Sequence, residues 1–199
     1  MTAKQHQRSV GRPREFDEEA VLNAAIEAFW AQGYEATSLA DLCECTGLHK
    51  GSLYQAFGDK RNLFMASLKH YATEQFRGVM AAASESESPL ENIRAAVHQI
   101  TDDAGSEKGC LVINSIVELA PHDPEIKATL QSYAGMRIQA MTQMIGLAQQ
   151  AGEIRPELDP AKLARQLMIT LAGAATVVKG FVTHDQALET LDGVIDSWT

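Results

Sequence analysis

Residues Thr37 to Phe57 read TSLADLCECTGLHKGSLYQAF, two short helical patterns around a glycine. Ser38 is an N-cap residue, and Asp41 stands three positions later, where its carboxylate favours a helix N-terminus. Leu39 and Leu42 give the first pattern a narrow apolar face, and Gly47 supplies the backbone freedom to leave it. The second pattern runs roughly from Lys50 to Phe57. Leu53 and Phe57 are four apart, so they share one side of a helix and anchor it to a core. Lys50, Ser52, Tyr54 and Gln55 are left for the other side. A short helix fixed by two apolar residues, with polar and aromatic groups facing out, fits the second helix of a helix-turn-helix.

The flanks fit that reading. Upstream, Asp17 is an N-cap with Glu18 and Glu19 in the first turn, and Leu22, Ala25, Ile26 and Phe29 repeat at helical spacing until Gly33. Tyr34 is expected to pack against the small core. Residues 1–15 are polar, basic and aperiodic, and are expected to be a flexible arm. Within them, GRPR places Arg12 and Arg14 around a proline, a pattern suited to a narrow minor groove. The other reading of the arm is a solubilising tail.

The chain has 199 residues, of which 45% are apolar, enough for one sizeable core or two small ones. No apolar run is long enough to span a membrane, and no secretory signal is expected. Three cysteines without framework spacing suggest a reducing, cytoplasmic setting. The formal net charge is −9, yet residues 1–14 carry four basic side chains and no acid. Any nucleic-acid footprint must therefore be a local patch made by the arm, Lys50, Lys60 and Arg61.

Proline is sparse and long amphipathic segments dominate, so the expected class is all-α. Gly58 and Asp59 turn the chain into a long helix through about Ala83, a rod of ~35 Å. SESESP, Ser84 to Pro89, is a linker. Pro89 opens a helix to about Asp103, and Cys110 opens an apolar segment ended by Pro121. Asp123-Pro124 and Asp159-Pro160 each cap and start a long helix, the second running to about Val182. Asp185 is expected to cap the last helix. The sum is roughly nine helices: a three-helix head at 16–58, and a rod with five helices behind it at 59–199.

The helix VLNAAIEAFWAQGY, the stretch from Thr37 to Phe57 and the following GDKRNLF together resemble the TetR/AcrR family of one-component transcriptional regulators. The likeness covers the first third of the chain. His49 departs from it, since a Ser or Thr usually caps the second helix there. The resemblance implies that Lys50, Gly51, Ser52, Tyr54, Gln55 and Ala56 face the major groove of double-stranded DNA. Tyr54, Lys60 and the hydroxyls of Thr37 and Ser38 would then hold phosphates. Gln55 could pair with adenine, Ala56 could touch a thymine methyl, and Gly51 would let the backbone approach. The alternative for Tyr54 is a place in the head's core. The resemblance further implies a homodimer on a palindromic operator, paired through its last two helices. Leu163, Leu167, Leu171, Ala174 and Ala175, with Leu188, Leu191, Val194 and Ile195, give apolar faces for such pairing or for the core of one subunit.

Behind the head, no glycine-rich phosphate loop, HExxH or Gly-x-Ser-x-Gly occurs, so no catalytic function, cofactor or metal is expected. Cys43 and Cys45 are two apart on a helix and point in different directions. Cys110 follows Gly109 at a helix start, where partial positive charge favours a thiolate. Its surroundings resemble the reactive cysteine segment of N-ethylmaleimide-type repressors within the family, and Lys179 falls where those proteins carry a lysine near the thiol. Cys110 is thus either a sensor of oxidants or electrophiles or a buried, inert thiol. A second signal route is a small apolar ligand among Met136, Met141, Met144 and Met168, which could equally fill core gaps. The functional expectation is a ligand- or redox-responsive regulator, most simply a repressor. The alternative is a helical protein–protein adaptor whose head no longer binds DNA.

Overall fold

The computed structural model describes residues 16–104 and 108–199. The GRPR arm, with Arg12 and Arg14, lies outside the described residues. Among those described, nine helices and no strand occur. They are α1 (Glu18–Gln32), α2 (Leu39–Thr46), α3 (Lys50–Phe57), α4 (Lys60–Ala82), α5 (Pro89–Ala104), α6 (Leu111–Glu118), α7 (Pro124–Gln150), α8 (Pro160–Val177) and α9 (His184–Asp196).

Short polar side chains set the helix starts. Asp17 Oδ1 accepts from the amides of Glu19 and Ala20 at 3.0 and 3.3 Å. Ser38 and Asp41 form a reciprocal capping box at α2. Asp59, Asp123 and Asp159 cap α4, α7 and α8, the last two with proline in the first turn. Gly33 and Gly47 leave α1 and α2 with φ of 85° and 67°, a region costly for residues with a Cβ. Three boundaries differ from expectation. Helix α8 ends at Val177, short of Val182. Helix α6 stops at Glu118, ahead of Pro121. Helix α9 is capped by Thr183 and not Asp185, because Gln186 stands at the position that closes a capping box with Thr183.

Two apolar cores hold these helices. One collects Leu22, Ala25, Ile26 and Phe29 of α1 with Leu42, Leu53 and Phe64. Phe29 and Phe64 meet edge to face at 5.1 Å, and Tyr34 joins them at 4.9 Å from Phe64. This core does not stop at the head. Leu111, Val112 and Leu119 around α6, and Ile126 and Leu130 of α7, belong to it as well. Each such side chain fully buried contributes about 1.5–3 kcal/mol. Helix α6 therefore shares one apolar core with the head while it packs on α4, α7 and α8.

The second core joins α5, α7, α8 and α9 around Ile93, Val97, Ile145, Leu167, Leu191 and Trp198. Leu163, Leu167, Leu171 and Ala175 recur every four residues along α8 and are all buried within this one chain. Leu191 and Ile195 of α9 are buried likewise. Reading these residues as a pairing surface is corrected here: they hold α8 and α9 in their own subunit. Among the described residues, no helix is long and apolar enough to cross a membrane.

Candidate nucleic-acid interface and effector cavity

Helix α3 packs on α2 and α4. Leu53 is 3% exposed and pins it inward. Phe57 is half-buried, with its ring 6.5 Å from that of Phe16. The opposite side is open. Tyr54 is 44% exposed, which removes the alternative that it completes the core. Lys50, Gly51 and Gln55 are exposed, and Ser52 and Ala56 are half-buried beside them. The Lys50 ammonium stands 5.7 Å from the centre of the Tyr54 ring, so cation and phenol share one patch. Nothing lies within 4 Å of where a Cβ on Gly51 would stand, which leaves its backbone open to a close neighbour. His49 occupies the N-cap position without a side-chain hydrogen bond to the helix. The first amides of α3 therefore lack a side-chain cap from His49.

The expected phosphate contacts divide. Ser38 is exposed, and its oxygen accepts from the Asp41 amide at 3.2 Å. The carboxyl of Asp41 is held below the usual range, first by the Ser38 amide and then by the Ser38 hydroxyl. Thr37 is corrected: it is fully buried, and its hydroxyl donates to the Gly33 carbonyl at 2.6 Å. It fastens the loop before α2 to the end of α1 and has no surface to offer a phosphate. Lys60 is half-buried, with its ammonium 4.4 Å from the Tyr34 ring centre and 3.4 Å from the Glu35 carbonyl oxygen.

Behind the head, a narrow apolar cavity lies between α5, α6, α7 and α8. Ile100, Cys110, Ile113, Arg137, Met168 and Leu171 are among the residues that line it. Of the four methionines considered for a ligand pocket, Met168 alone borders this cavity. Met141 and Met144 belong to the second core, and Met136 is 52% exposed beside an outer groove with Phe76 and Tyr133. The four therefore do not form one pocket, because they project from different sides of α7 and α8.

Cys110 is 3% exposed and is the N-cap of α6, without a capping hydrogen bond. Its sulfur lies 3.9 Å from the Tyr71 hydroxyl. The Lys179 ammonium instead donates to Asn114 Oδ1 at 2.7 Å, while the lysine stem passes Gly109. The pairing of Lys179 with the thiol is thus corrected, and the burial of Cys110 fits the inert-thiol alternative.

Contacts across the junction between head and rear had no signal in the sequence, since their partners are 60 to 85 residues apart. Glu118, at the end of α6, accepts from the amides of Tyr34 and Glu35 at 3.0 and 2.8 Å. Trp30 Nε1 donates to the Gly109 carbonyl at 3.0 Å. Arg61 binds Asp123 and Glu125 at the start of α7.

Residues 21–66 match the profile described as bacterial regulatory proteins of the tetR family, and residues 86–191 match that of a tetracyclin repressor-like C-terminal domain. The chain belongs to the TetR family. A TetR-family relative, the HTH-type transcriptional repressor ComR of Escherichia coli K12, is 32% identical over 96% of this chain and 93% of its own length. The uncharacterized HTH-type regulator YezE of Bacillus subtilis 168 is 33% identical over 92% of this chain and 96% of its own. A solved complex of a cysteine mutant of the TetR-family regulator CifR with 26-base-pair operator DNA superposes with a TM-score of 0.82 at 27% identity. It covers 94% of this chain and all of that one. TetR-family proteins are transcriptional regulators and not enzymes, and the all-helical architecture is theirs. The adaptor alternative gains nothing from these relatives.

Proposed function

We propose that this TetR-family regulator is a repressor that binds a palindromic operator as a homodimer and leaves it when the rear helices take up a small molecule. The observation that carries the reading is the two-sided character of α3: Leu53 is buried while Tyr54, Gln55 and Lys50 stand open. In this reading Lys50, Ser38 and Tyr54 hold phosphates, and Gln55 and Ala56 read base edges. Ser52 and Gly51 line the closest approach. Lys60 reaches a phosphate by exchanging its place over Tyr34, and Arg12 and Arg14 follow the adjacent minor groove. The division into an arm at 1–15, a head at 16–58 and a rear unit at 59–199 is consistent with family matches at 21–66 and 86–191.

Pairing would use the outer faces of α8 and α9. With the α8 leucines committed to the core, Ile169 remains 73% exposed, and Gly173 and Thr176 follow it on the same helical face. Nothing lies within 4 Å of an added Cβ at Gly173, so a second helix can come close. Phe181, 85% exposed just beyond α8, extends this face.

The signal would enter at the apolar cavity. Cys110 and Ile113, at the start of α6, line it, while Glu118 at the other end of α6 holds the head's loop. A ligand that favours a different seat for α6 would tilt the heads and change their separation on DNA. Selection of duplexes from a random library, followed by binding measurements in rising salt, tests the reading. Enrichment of a palindrome with steeply salt-dependent affinity supports it; absence of any enriched duplex refutes it.

A further inference from the structure

We propose that the small molecule taken up by the rear helices is an apolar carboxylate, its anion received by Arg137 at the wall of the cavity. The inference rests on the effector reading above and adds the ligand's chemical class.

The cavity walls are almost wholly hydrocarbon: Ile100, Ile113, Met168, Leu171 and the alanines of α8. Thr101 also borders it, but its hydroxyl already donates to the Val97 carbonyl at 2.7 Å. Among the described residues, Arg137 is thus the one charged side chain at this wall. A half-buried guanidinium beside hydrocarbon costs free energy unless a counter-charge meets it.

Other half-buried arginines have that counter-charge. Arg61 binds Asp123 and Glu125, and Arg94 binds Asp192 and Asp196. Arg137 instead donates to the neutral amide oxygen of Gln75, and among the described residues no carboxylate pairs with it. Scarcity of acid does not explain this, since 26 acidic residues face 17 basic ones in the chain.

The Gln75 contact has the form of a holder. Gln75 is 5% exposed, and its amide nitrogen donates to the Tyr71 hydroxyl at 3.3 Å. Burial first, and then the adjacent Cys110, push the Tyr71 phenol above its ordinary value, so it stays a neutral hydroxyl. The chain Cys110–Tyr71–Gln75 therefore orients the guanidinium without neutralising it. A guanidinium carries five N–H donors in a planar fork that matches both oxygens of a carboxylate. Holding that fork in place before the ligand arrives reduces the ordering cost of binding.

Size and access agree. The cavity is about 40 Å³, room for a tail of about three heavy atoms at the roughly 10–15 Å³ that one water needs, and for a single ring once Met168 shifts. Arg137 also borders the outer groove of Phe76, Tyr133 and Met136. It thus stands between solvent and cavity, where an arriving anion would meet it first.

The test is calorimetric titration of the full-length protein with butyrate and benzoate, set against the uncharged butyramide and benzamide. At least one carboxylate is expected to bind in the millimolar range or better, about tenfold or more tightly than its amide. Arg137→Gln is expected to erase that preference while leaving the helical circular-dichroism signal and affinity for a selected palindrome unchanged. Met168→Trp, which fills the cavity and leaves the charge, is expected to block binding. Equal binding of acid and amide by the native protein, no binding of either carboxylate, or undiminished binding by a folded Arg137→Gln each overturns the inference. The native comparison decides the matter even if a variant does not fold. Palindrome binding without carboxylate binding refutes the ligand class and leaves the regulator reading standing; carboxylate binding without any enriched duplex does the reverse.

Discussion

Arg61 clasps Asp123 through both carboxylate oxygens, with Nε to Oδ2 at 3.1 Å and the terminal nitrogen to Oδ1 and Oδ2 at 3.1 and 2.9 Å. Asp123 is at the same time the N-cap of α7. One carboxylate thus starts a rear helix and fastens the first turn of α4, next to the head. Its charge serves both tasks: the Ile126 amide first, and then Arg61, hold its carboxyl below the ordinary range.

The first prediction is an acid limb of stability. Asp41 and Asp123 both have carboxyls depressed in the folded state. The unfolded chain therefore binds protons more readily than the folded one. Their contribution is complete above the unfolded value of about 3.9 and is lost as pH falls through the lower folded values. Melting temperature measured downward from about pH 6 should drop across this window, and the drop should be shallower in Asp123→Asn, whose amide can still cap α7.

Glu118 gives a second. Its carboxylate holds the amides of Tyr34 and Glu35, so Glu118→Ala should speed hydrogen exchange at those two amides while sparing the capped turns of α7. Unchanged protection at 34 and 35 would show that this tie is not what fixes the loop.

Two glycines with positive φ provide a third, as a matched pair. At Gly109, φ is +66° and an added Cβ would stand 2.7 Å from the Ala175 carbonyl, which cannot yield as a lysine stem can. At Gly152, φ is +77° with nothing within 4 Å. Gly152→Ala should cost about 1 kcal/mol from backbone strain, and Gly109→Ala more, roughly 2–4 kcal/mol. Denaturant unfolding of the two variants checks the order.

The uncapped start of α3 gives a fourth. His49 makes no side-chain bond to the helix. His49→Ser should stabilise the protein by roughly 0.5–1 kcal/mol, the lower part of the range for gaining an N-cap. A fall in stability would mean that the imidazole has a packing role instead.

The parts of this fold that could be read from the sequence are those written within a few residues. Asp17, Ser38, Asp59, Asp123 and Asp159 mark helix starts because a cap acts on amides two or three positions away. Leu53 inward and Tyr54 outward follow from helical spacing alone. Thr37 misled because a hydroxyl before a helix looks the same whether it faces solvent or, as here, the Gly33 carbonyl. The α8 leucines misled because an apolar stripe does not say whether its cover is the same chain or a second copy. Glu118, Arg61–Asp123 and the chain from Cys110 to Arg137 join positions far apart, and no local period records them. Arg137 did leave one trace, a charge set between Met136 and Ile138 and one turn before Met141.

The central claim is that the open side of α3 touches DNA. Fluorescence anisotropy on a palindrome selected by the native protein, repeated with Tyr54→Ala and Gln55→Ala, tests it most directly. Tyr54→Ala should weaken binding on all sequences alike. Gln55→Ala should lose about 1–3 kcal/mol on the selected site and tolerate a changed base at one position of each half-site. Affinity and base preference identical to the native protein in both variants would contradict the account.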